Sequence, residues 1–234
     1  YVTRRSVLPN DGPTFRTPLE WLDAAPRFVT HPTRGRTRLE ARDYQREVLE
    51  AWEHPRRIVV KSRQIGFTQI LAMEAYWKAR YLPGRQILCV AQREENAAEF
   101  IRYVREQCSP DDLGRNNELS LGFKNGSRIK AQAATKNPGR GYAASDVYLD
   151  EFAFAPWAAN VWQSIAPSVS TGGPITIFSS PHGRANLFYH IWAGRCGDTD
   201  WWRRSYSWRV LWDEAWAEAK RRTMTREGFA EEYE

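Results

Sequence analysis

Short apolar runs alternate with longer helix-like stretches through most of the chain, and this rhythm constrains the fold more than any other feature. The apolar runs occupy 57–61, 85–92, 146–152 and 174–181. Helical patterns follow the first two runs, at 69–82 and 94–107. Apolar runs of strand length are typical of parallel strands that are buried on both faces. The order predicts an α/β fold with a mostly parallel central sheet and helices on both faces.

Three other segments refine this prediction. Residues 118–134 have the pattern of an antiparallel hairpin, in which Asn125 and Gly126 are expected to form a two-residue turn with positive φ at both positions. Helices are predicted over 39–54 and 212–222, the second with acids early and bases late, as the helix dipole favours.

The two ends of the chain are less regular. Residues 1–38 are rich in Pro, Gly, Thr and Arg, so we expect an N-terminal arm in front of a single domain over 39–234. Within the arm, 31–38 is predicted to be a loop that carries three arginines. Residues 184–234 are rich in Trp and partly helical. The segment with Trp201, Trp202, Arg203 and Arg204 is expected to pack against the sheet, and contact with a neighbouring subunit or DNA is the alternative.

Composition restricts the partners. The formal net charge is +6, and 28 of the 34 cationic residues are Arg, whose planar fork of donors matches phosphate oxygens. This balance suits a nucleic acid, although a GC-rich genome would produce the same excess of Arg. The 3 cysteines and 4 histidines show no ligand spacing, so no metal centre built from them is expected. No uncharged apolar run reaches the ~18 residues of a membrane helix, so no membrane partner is expected.

The segment between the first strand and its helix, KSRQIGFTQ, is the principal candidate site. A phosphate-binding loop has the pattern G-x-x-x-x-G-K-[ST] in this position. Gly66 and Thr68 match the second glycine and the hydroxyl, whereas Lys61 stands at the first glycine and Phe67 at the lysine. Either Lys61 or Arg63 could supply the missing cation. An ordinary strand-to-helix turn also fits these residues.

A second candidate is the pair of carboxylates that ends the third apolar run, DVYLDE. Asp150 could hold Mg²⁺, and Glu151 could polarise an attacking water. The alternative is that the two acids begin a surface loop or cap a helix. Because burying such a pair without a cation is costly, its position at a strand end favours the functional interpretation.

The order of the motifs along the chain resembles the ATPase domain of large terminase subunits, the DNA-packaging motors of tailed bacteriophages. The motifs are, in order, YQ, KSRQIGFT, NGSRI, RGY, VYLDEFAF and SSPHGRANLFYHIW. The resemblance runs from about Leu39 to the end, and its most specific parts are 61–68, 148–154 and 177–192. It implies a RecA-like P-loop ATPase with an additional strand, ATP and Mg²⁺ as cofactors, and an ATP-dependent DNA translocase activity.

The resemblance also implies residue roles at the nucleotide. Tyr44 would stack on adenine and Gln45 would bond its edge, although an ordinary amphipathic helix explains both. Thr68 and Asp150 would hold Mg²⁺, and Glu151 would orient the water. The phosphates would lie against the loop, with Arg63 touching the γ-phosphate. The loop residues are Lys61, Ser62, Arg63, Gln64, Ile65, Gly66, Phe67 and Thr68.

Two further roles are implied away from the loop. Ser179 and Ser180 would couple phosphate release to movement, although SSPHG also reads as a plain turn. Arg140 would reach the ATP of a neighbouring subunit, where an arginine in trans accelerates hydrolysis by ~10³–10⁵. A carboxylate or a DNA phosphate is the alternative partner of Arg140.

The implied partners are double-stranded DNA, held through its phosphates, and a homo-oligomeric ring, for which the resemblance implies five subunits. The portal protein and the small terminase subunit follow by the same resemblance, with the host-cell cytoplasm as location. The acids in the last part of the chain do not fall on separate strand ends, so they are poorly placed for a two-metal nuclease site and no nuclease activity is expected. They are Asp198, Asp200, Asp213 and Glu214. A helicase-like DNA translocase and a non-hydrolytic nucleotide-binding assembly module remain alternatives.

Overall fold

The computed structural model describes residues 14–31, 33–136, 142–165, 172–197 and 200–234. Its strands are β1 (Phe28–His31), β2 (Gly35–Arg38), β3 (Arg56–Lys61), β4 (Gln86–Ala91), β5 (Leu113–Asn117), β6 (Ser120–Phe123), β7 (Arg128–Ala133), β8 (Asp146–Asp150), β9 (Ile175–Ser179) and β10 (Trp202–Tyr206). Its helices are α1 (Pro18–Ala24), α2 (Asp43–Glu50), α3 (Phe67–Tyr81), α4 (Glu94–Arg105), α5 (Ala158–Ile165), α6 (Leu187–Trp192), α7 (Glu214–Arg221) and α8 (Arg226–Tyr233). No helix in these ranges combines the length and the apolar character needed to cross a bilayer.

Eight of the strands form one sheet in the order β10-β3-β9-β8-β4-β7-β6-β5. The strands from β10 to β7 run parallel, and β6 and β5 extend the sheet in the antiparallel sense. The predicted α/β class, with a mostly parallel sheet and an antiparallel hairpin, is confirmed. Strand β9 lies between β3 and β8, so the strand before the candidate loop and the strand that ends in the acid pair are not neighbours.

Alternate side chains of the central strands enter two separate apolar cores, which explains the unbroken apolar runs in the sequence. In β8, Tyr148 points into the core beneath α2, α3 and α4, whereas Leu149 points into the core beneath α5 and α6. In β9, Phe178 and Ile177 divide in the same way. A strand covered on both faces needs no polar alternation.

The predicted turn of the antiparallel hairpin is wrong. Only Gly126 has a positive φ, of 85°, and the connection between β6 and β7 spans four residues. The side chain of Asn125 instead donates to the carbonyls of Ala79 and Arg80, at 2.8 and 3.0 Å, at the end of α3. This tertiary contact selects the turn conformation.

Three strands, β1, β2 and β10, were missed towards the ends of the chain. The predicted loop 31–38 is wrong, because Gly35–Arg38 pairs with Phe28–His31 as a two-stranded antiparallel ribbon. Strand β10 adds to the sheet as a parallel edge beside β3. The ribbon and β10 each have one side that faces solvent. Arginines on that side interrupt the apolar run by which a buried strand is recognised. Helix α2 begins at Asp43 and is shorter than the predicted 39–54.

Candidate functional site

The candidate motifs meet at one edge of the sheet, because the parallel strands β3, β8 and β9 all end there. The end of β3 supplies Lys61, the end of β8 supplies Asp150 and Glu151, and the end of β9 supplies Ser179 and Ser180. The tertiary fold thus brings together residues that lie about 90 and 120 positions apart in the chain. Carboxyl ends of strands are where open α/β sheets place ligands.

The loop between β3 and α3 has two residues in the left-handed region, Gln64 with φ 59° and Gly66 with φ 75°. A Cβ on Gly66 would lie 3.1 Å from Gln45 Nε2, so this position combines an unfavourable φ with close approach. Gly66 is also the N-cap of α3, and among the described residues it has no side-chain cap. The first backbone N–H groups of α3 are therefore available for an anion.

Tyr44 and Gln45, which were predicted to contact adenine, both bind the backbone of the loop. The Tyr44 hydroxyl donates to the Ile65 carbonyl at 2.6 Å, and Gln45 Nε2 donates to the same oxygen at 3.4 Å. Burial raises the pKa of Tyr44 to about 12, so this donor stays protonated. Tyr44 also lines an open cleft together with Arg42 and Tyr206. The adenine role stays a prediction, and the structure adds a loop-supporting role.

Phe67 and Ile65 are core residues rather than exposed loop residues. Each side chain is 2% exposed, and the Phe67 ring packs against Phe178 and Tyr206 with centroid distances of 6.1 and 5.8 Å. Where the standard loop has lysine, this chain therefore has a hydrophobic anchor. Any contact between Phe67 and phosphate would have to come from its backbone.

Lys61 is the buried cation of the site. Its residue is 4% exposed, and its Nζ forms an ion pair with Glu151 Oε1 and donates to Ser180 Oγ at 3.2 Å. Glu151 adopts φ 48°, and its Oε2 accepts from the Ser180 N–H at 2.9 Å and from Ser179 Oγ at 3.3 Å. Burial opposes ionisation of Glu151, but Lys61 and the two serines outweigh it, so its pKa lies below the ordinary value.

Asp150 is buried and differs from its neighbour in its partners. Its Oδ2 accepts from Thr68 Oγ1 at 3.2 Å, whereas its Oδ1 is buried without a hydrogen-bond partner in the described part of the chain. Burial, followed by the charge of Glu151, raises the pKa of Asp150 to about 7. A buried carboxylate oxygen without a donor is suited to a cation.

The donor set fits Mg²⁺ better than a transition metal. Thr68 and Asp150 present hard oxygen atoms at adjacent positions, and Mg²⁺ usually takes one or two protein oxygens together with water and phosphate. Within the described ranges, no group of three or more His, Cys, Asp and Glu side chains could form a complete protein metal centre. Thr68 and Asp150 alone would leave the remaining positions of an octahedral Mg²⁺ to water or phosphate oxygens.

Arg63, predicted to touch the γ-phosphate, is held by the C-terminal helix α8. Its Nη1 lies 2.8 Å from both carboxylate oxygens of Glu232, and its backbone N–H donates to the Glu232 carbonyl at 2.7 Å. The next acid, Glu231, pairs with His182, which stacks on Phe154 at 4.3 Å. Sequence reasoning missed these contacts, since nothing in the EEYE segment indicates its partner.

Two residues singled out from the sequence, Arg140 and Asp198, lie outside the described residues. The role of Arg140 at a neighbouring subunit stays a prediction.

The sheet carries a strand-loop-helix unit formed by β3 and α3, and an acid pair at the end of β8, which β9 separates from β3. These features define an α/β fold of the phosphate-loop class. The family model described as terminase large subunit, T4likevirus-type, N-terminal, matches residues 58–228. The chain belongs to this terminase large-subunit family, so the resemblance drawn from the motifs is confirmed.

Individual proteins are similar to this chain in fold or in sequence. The large terminase ATPase domain of Thermus phage P74-26 is 22% identical and aligns with a TM-score of 0.68 over 83% of this chain and 92% of that one. The large terminase of another thermophilic bacteriophage, solved in complex with ADP, is 12% identical, with a TM-score of 0.66 over 83% of this chain and 52% of that one. A protein of Haemophilus phage HP1, described as a probable terminase, ATPase subunit, is 29% identical over 160 residues. That match covers 65% of this chain and 25% of the phage HP1 protein.

Proposed function

We propose that this chain is the ATP-hydrolysing motor domain of a viral large terminase and moves double-stranded DNA into a procapsid. The main observation behind the proposal is that the two acids at the end of β8 contact the two ends of the loop between β3 and α3. Glu151 meets Lys61 before the loop, and Asp150 meets Thr68 after it. Family membership, the ATPase description of the phage HP1 relative and the large terminase solved with ADP support it.

The loop would bind the phosphates of ATP through backbone N–H groups at the start of α3, with the left-handed Gly66 shaping the turn. Lys61 is the favoured cation, since it is buried and already faces the carboxylates. Arg63 could reach phosphate only after leaving Glu232. The remaining loop residues, Ser62, Gln64 and Ile65, would contribute backbone groups.

Hydrolysis would rest on the two carboxylates acting in different roles. Thr68 and Asp150 would hold Mg²⁺, which neutralises phosphate charge when bound. Glu151 stays ionised beside Lys61, so it can accept a hydrogen bond from water and orient it for attack.

Coupling to movement would run through Ser179 and Ser180. Both contact Glu151, and both lie at the end of β9, the strand between β3 and β8. A change at the phosphate that shifts Glu151 or Lys61 would therefore break hydrogen bonds to this strand end. Breaking these hydrogen bonds would link the nucleotide state to the position of the chain segment that follows Ser180.

The wider assembly belongs to the same proposal. Residues 39–234 would form the motor domain and 1–38 its arm, in a homo-oligomeric ring, with five subunits as the implied number. Arg140 would act in trans on a neighbour's ATP. The portal protein and the small terminase subunit would be partners in the host-cell cytoplasm, and DNA would be held through its phosphates, as sequence-independent movement requires.

The test is the substitution Glu151→Gln. It keeps the shape of the side chain but removes the base, so steady-state ATP hydrolysis should fall by ~10²–10⁴-fold while ATP affinity changes little. Glu118→Gln, at an exposed turn between β5 and β6, is the matched control. Hydrolysis at the wild-type rate by folded Glu151→Gln protein would overturn the catalytic assignment.

A further inference from the structure

The two-stranded ribbon in the N-terminal arm has one outward and one inward face. Its register pairs Phe28 with Arg38 and Thr30 with Arg36, so these four side chains share the outward face. Val29, on the opposite side, is 8% exposed and belongs to the apolar core. We call residues 28–31 and 33–38 the basic ribbon.

The basic ribbon carries three arginines that form no ion pair with a carboxylate in the described part of the chain. They are Arg34, Arg36 and Arg38, and all three are exposed. The ribbon itself contains no acid, and Glu40 is the nearest acid along the chain. Elsewhere many arginines do have carboxylate partners, among them Arg46, Arg57, Arg63, Arg80, Arg102, Arg204 and Arg221.

Two side chains at the end of α4, Glu106 and Gln107, hold the ribbon in place. Glu106 pairs with Arg102 at 3.0 Å and accepts from the Thr30 N–H at 3.3 Å. The Gln107 side chain donates to the Phe28 carbonyl at 3.0 Å. These contacts dock the ribbon on the C-terminal end of α4. Because α4 begins beyond the carboxyl end of β4 and runs back, the ribbon lies away from the nucleotide edge.

Phe28 gives the cationic face a rigid support. Its ring is 40% exposed, and the Arg36 guanidinium lies 4.6 Å from the ring centroid. A cation held over an aromatic face keeps its outer N–H donors free while the side chain loses rotational freedom. The pair therefore presents an oriented guanidinium fork to solvent.

We propose that the basic ribbon binds the phosphate backbone of double-stranded DNA, an inference that rests on the proposed motor function and assigns it a DNA surface. Arg36 and Arg38 are two residues apart on one strand, which sets them ~6.6 Å apart. At this spacing the two long side chains can reach neighbouring phosphates of one DNA strand. Guanidinium forks bind phosphate oxygens in pairs and read no base, as a processive motor requires.

The experiment compares two triple variants of the full 234-residue chain by fluorescence anisotropy with a labelled duplex of mixed sequence. The test variant is Arg34→Gln/Arg36→Gln/Arg38→Gln. The control is Arg115→Gln/Lys124→Gln/Arg222→Gln, which removes the same charge from exposed positions on other elements. Thermal unfolding verifies that both variants fold.

The test variant should bind the duplex at least ~10-fold more weakly at low salt, and its slope of log affinity against log salt should flatten by about one unit per lost phosphate contact. The control should keep most of the affinity and slope. Equal weakening of both variants, or unchanged binding of the test variant, would overturn the inference. A loss restricted to single-stranded DNA would also overturn it. Hydrolysis by wild type and Glu151→Gln is a separate measurement, so failure of the motor proposal would be seen independently.

Discussion

The Thr68 hydroxyl and the Asp150 carboxylate, 82 residues apart in the chain, are joined by a hydrogen bond of 3.2 Å. The bond connects the first turn of α3 to the end of β8 across the width of β9. It uses only one oxygen of Asp150 and leaves the other buried without a partner in the described part of the protein. The unpartnered oxygen is placed to accept a cation. The contribution of the Thr68 hydroxyl to this arrangement can be measured by substituting Thr68 alone.

Replacing Thr68 with Val should weaken the response of ATP hydrolysis to Mg²⁺. Val keeps the shape but lacks the hydroxyl, so Asp150 Oδ2 loses its donor, which costs roughly 1–3 kcal/mol for a buried acceptor. The Mg²⁺ concentration for half-maximal hydrolysis should rise at least ~10-fold in a titration at saturating ATP. Thr68→Ser, which retains the hydroxyl, should stay near wild type. Indistinguishable titrations of Val and wild type would count against the metal assignment.

Lys61→Gln should lower ATP affinity, because it removes the buried cation that faces the loop. The glutamine can still bond Ser180, whereas Glu151 loses its charge partner. We expect affinity to fall at least ~10-fold, as judged by titration with a fluorescent ATP analogue, since a lost charge-assisted bond is worth ~1.5–3 kcal/mol. Arg63→Gln in parallel decides between the two cations. If Arg63→Gln alone abolishes binding, the cationic role belongs to Arg63.

Glu232→Gln should increase the affinity for ATP if Arg63 must reach phosphate. In the present structure Glu232 competes for that guanidinium, through an ion pair whose arginine side chain is 59% exposed. Exposed ion pairs contribute ~0–1 kcal/mol, so the gain in affinity should be at most ~5-fold. Glu227→Gln, at an exposed position on the same helix, is the control. Isothermal titration that shows equal affinity for wild type and Glu232→Gln would separate Arg63 from nucleotide binding.

The buried carboxylate Glu74 should make stability fall in acid. Burial alone would raise its pKa, but Arg57 and Lys78 lower it to about 2 from the ordinary 4.5. The stabilisation is therefore complete above pH 4.5 and is lost as pH falls towards 2. It amounts to about 3 kcal/mol, at roughly 1.36 kcal/mol for each pKa unit.

Urea unfolding of wild type and Glu74→Gln from neutral pH down into the acid range measures this contribution. The gap in free energy of unfolding between the two proteins should be widest at neutral pH and should narrow below pH 4.5. A gap that stays constant over the whole range would show that folding does not lower the pKa of Glu74. Glu118→Gln should run parallel to wild type, since its side chain is exposed.

Local patterns in the sequence predicted most of the sheet. The runs that became β3, β4, β8 and β9 were visible because each is apolar on both faces, and the helices α3 and α4 lie where they were predicted. The ribbon and β10 were not visible, because arginines on a solvated side interrupt the pattern. The turn at Asn125 differed from its dipeptide preference because the carbonyls at the end of α3 bind its side chain.

The candidate site shows the same division. Lys61, Thr68, Asp150, Glu151 and both serines were singled out from the sequence, and the fold places them together. The pairing of Arg63 with Glu232, 169 residues away, was not foreseen, nor was the bond from Tyr44 to the Ile65 carbonyl. Identity and spacing of residues along one element predict chemistry, but not the partner that a long charged side chain selects.

The amino-acid sequence by itself determined the order of the strands β3, β4, β8 and β9, the loop after β3, the acid pair at the end of β8 and the family. These are short-range properties, since apolar periodicity and a motif each depend on residues close together in the chain. Only the tertiary structure decided which carboxylate holds Arg63, which side of the ribbon faces solvent and which oxygen of Asp150 lacks a donor. Those outcomes depend on distances between elements far apart in sequence, and such distances exist only once the sheet has assembled.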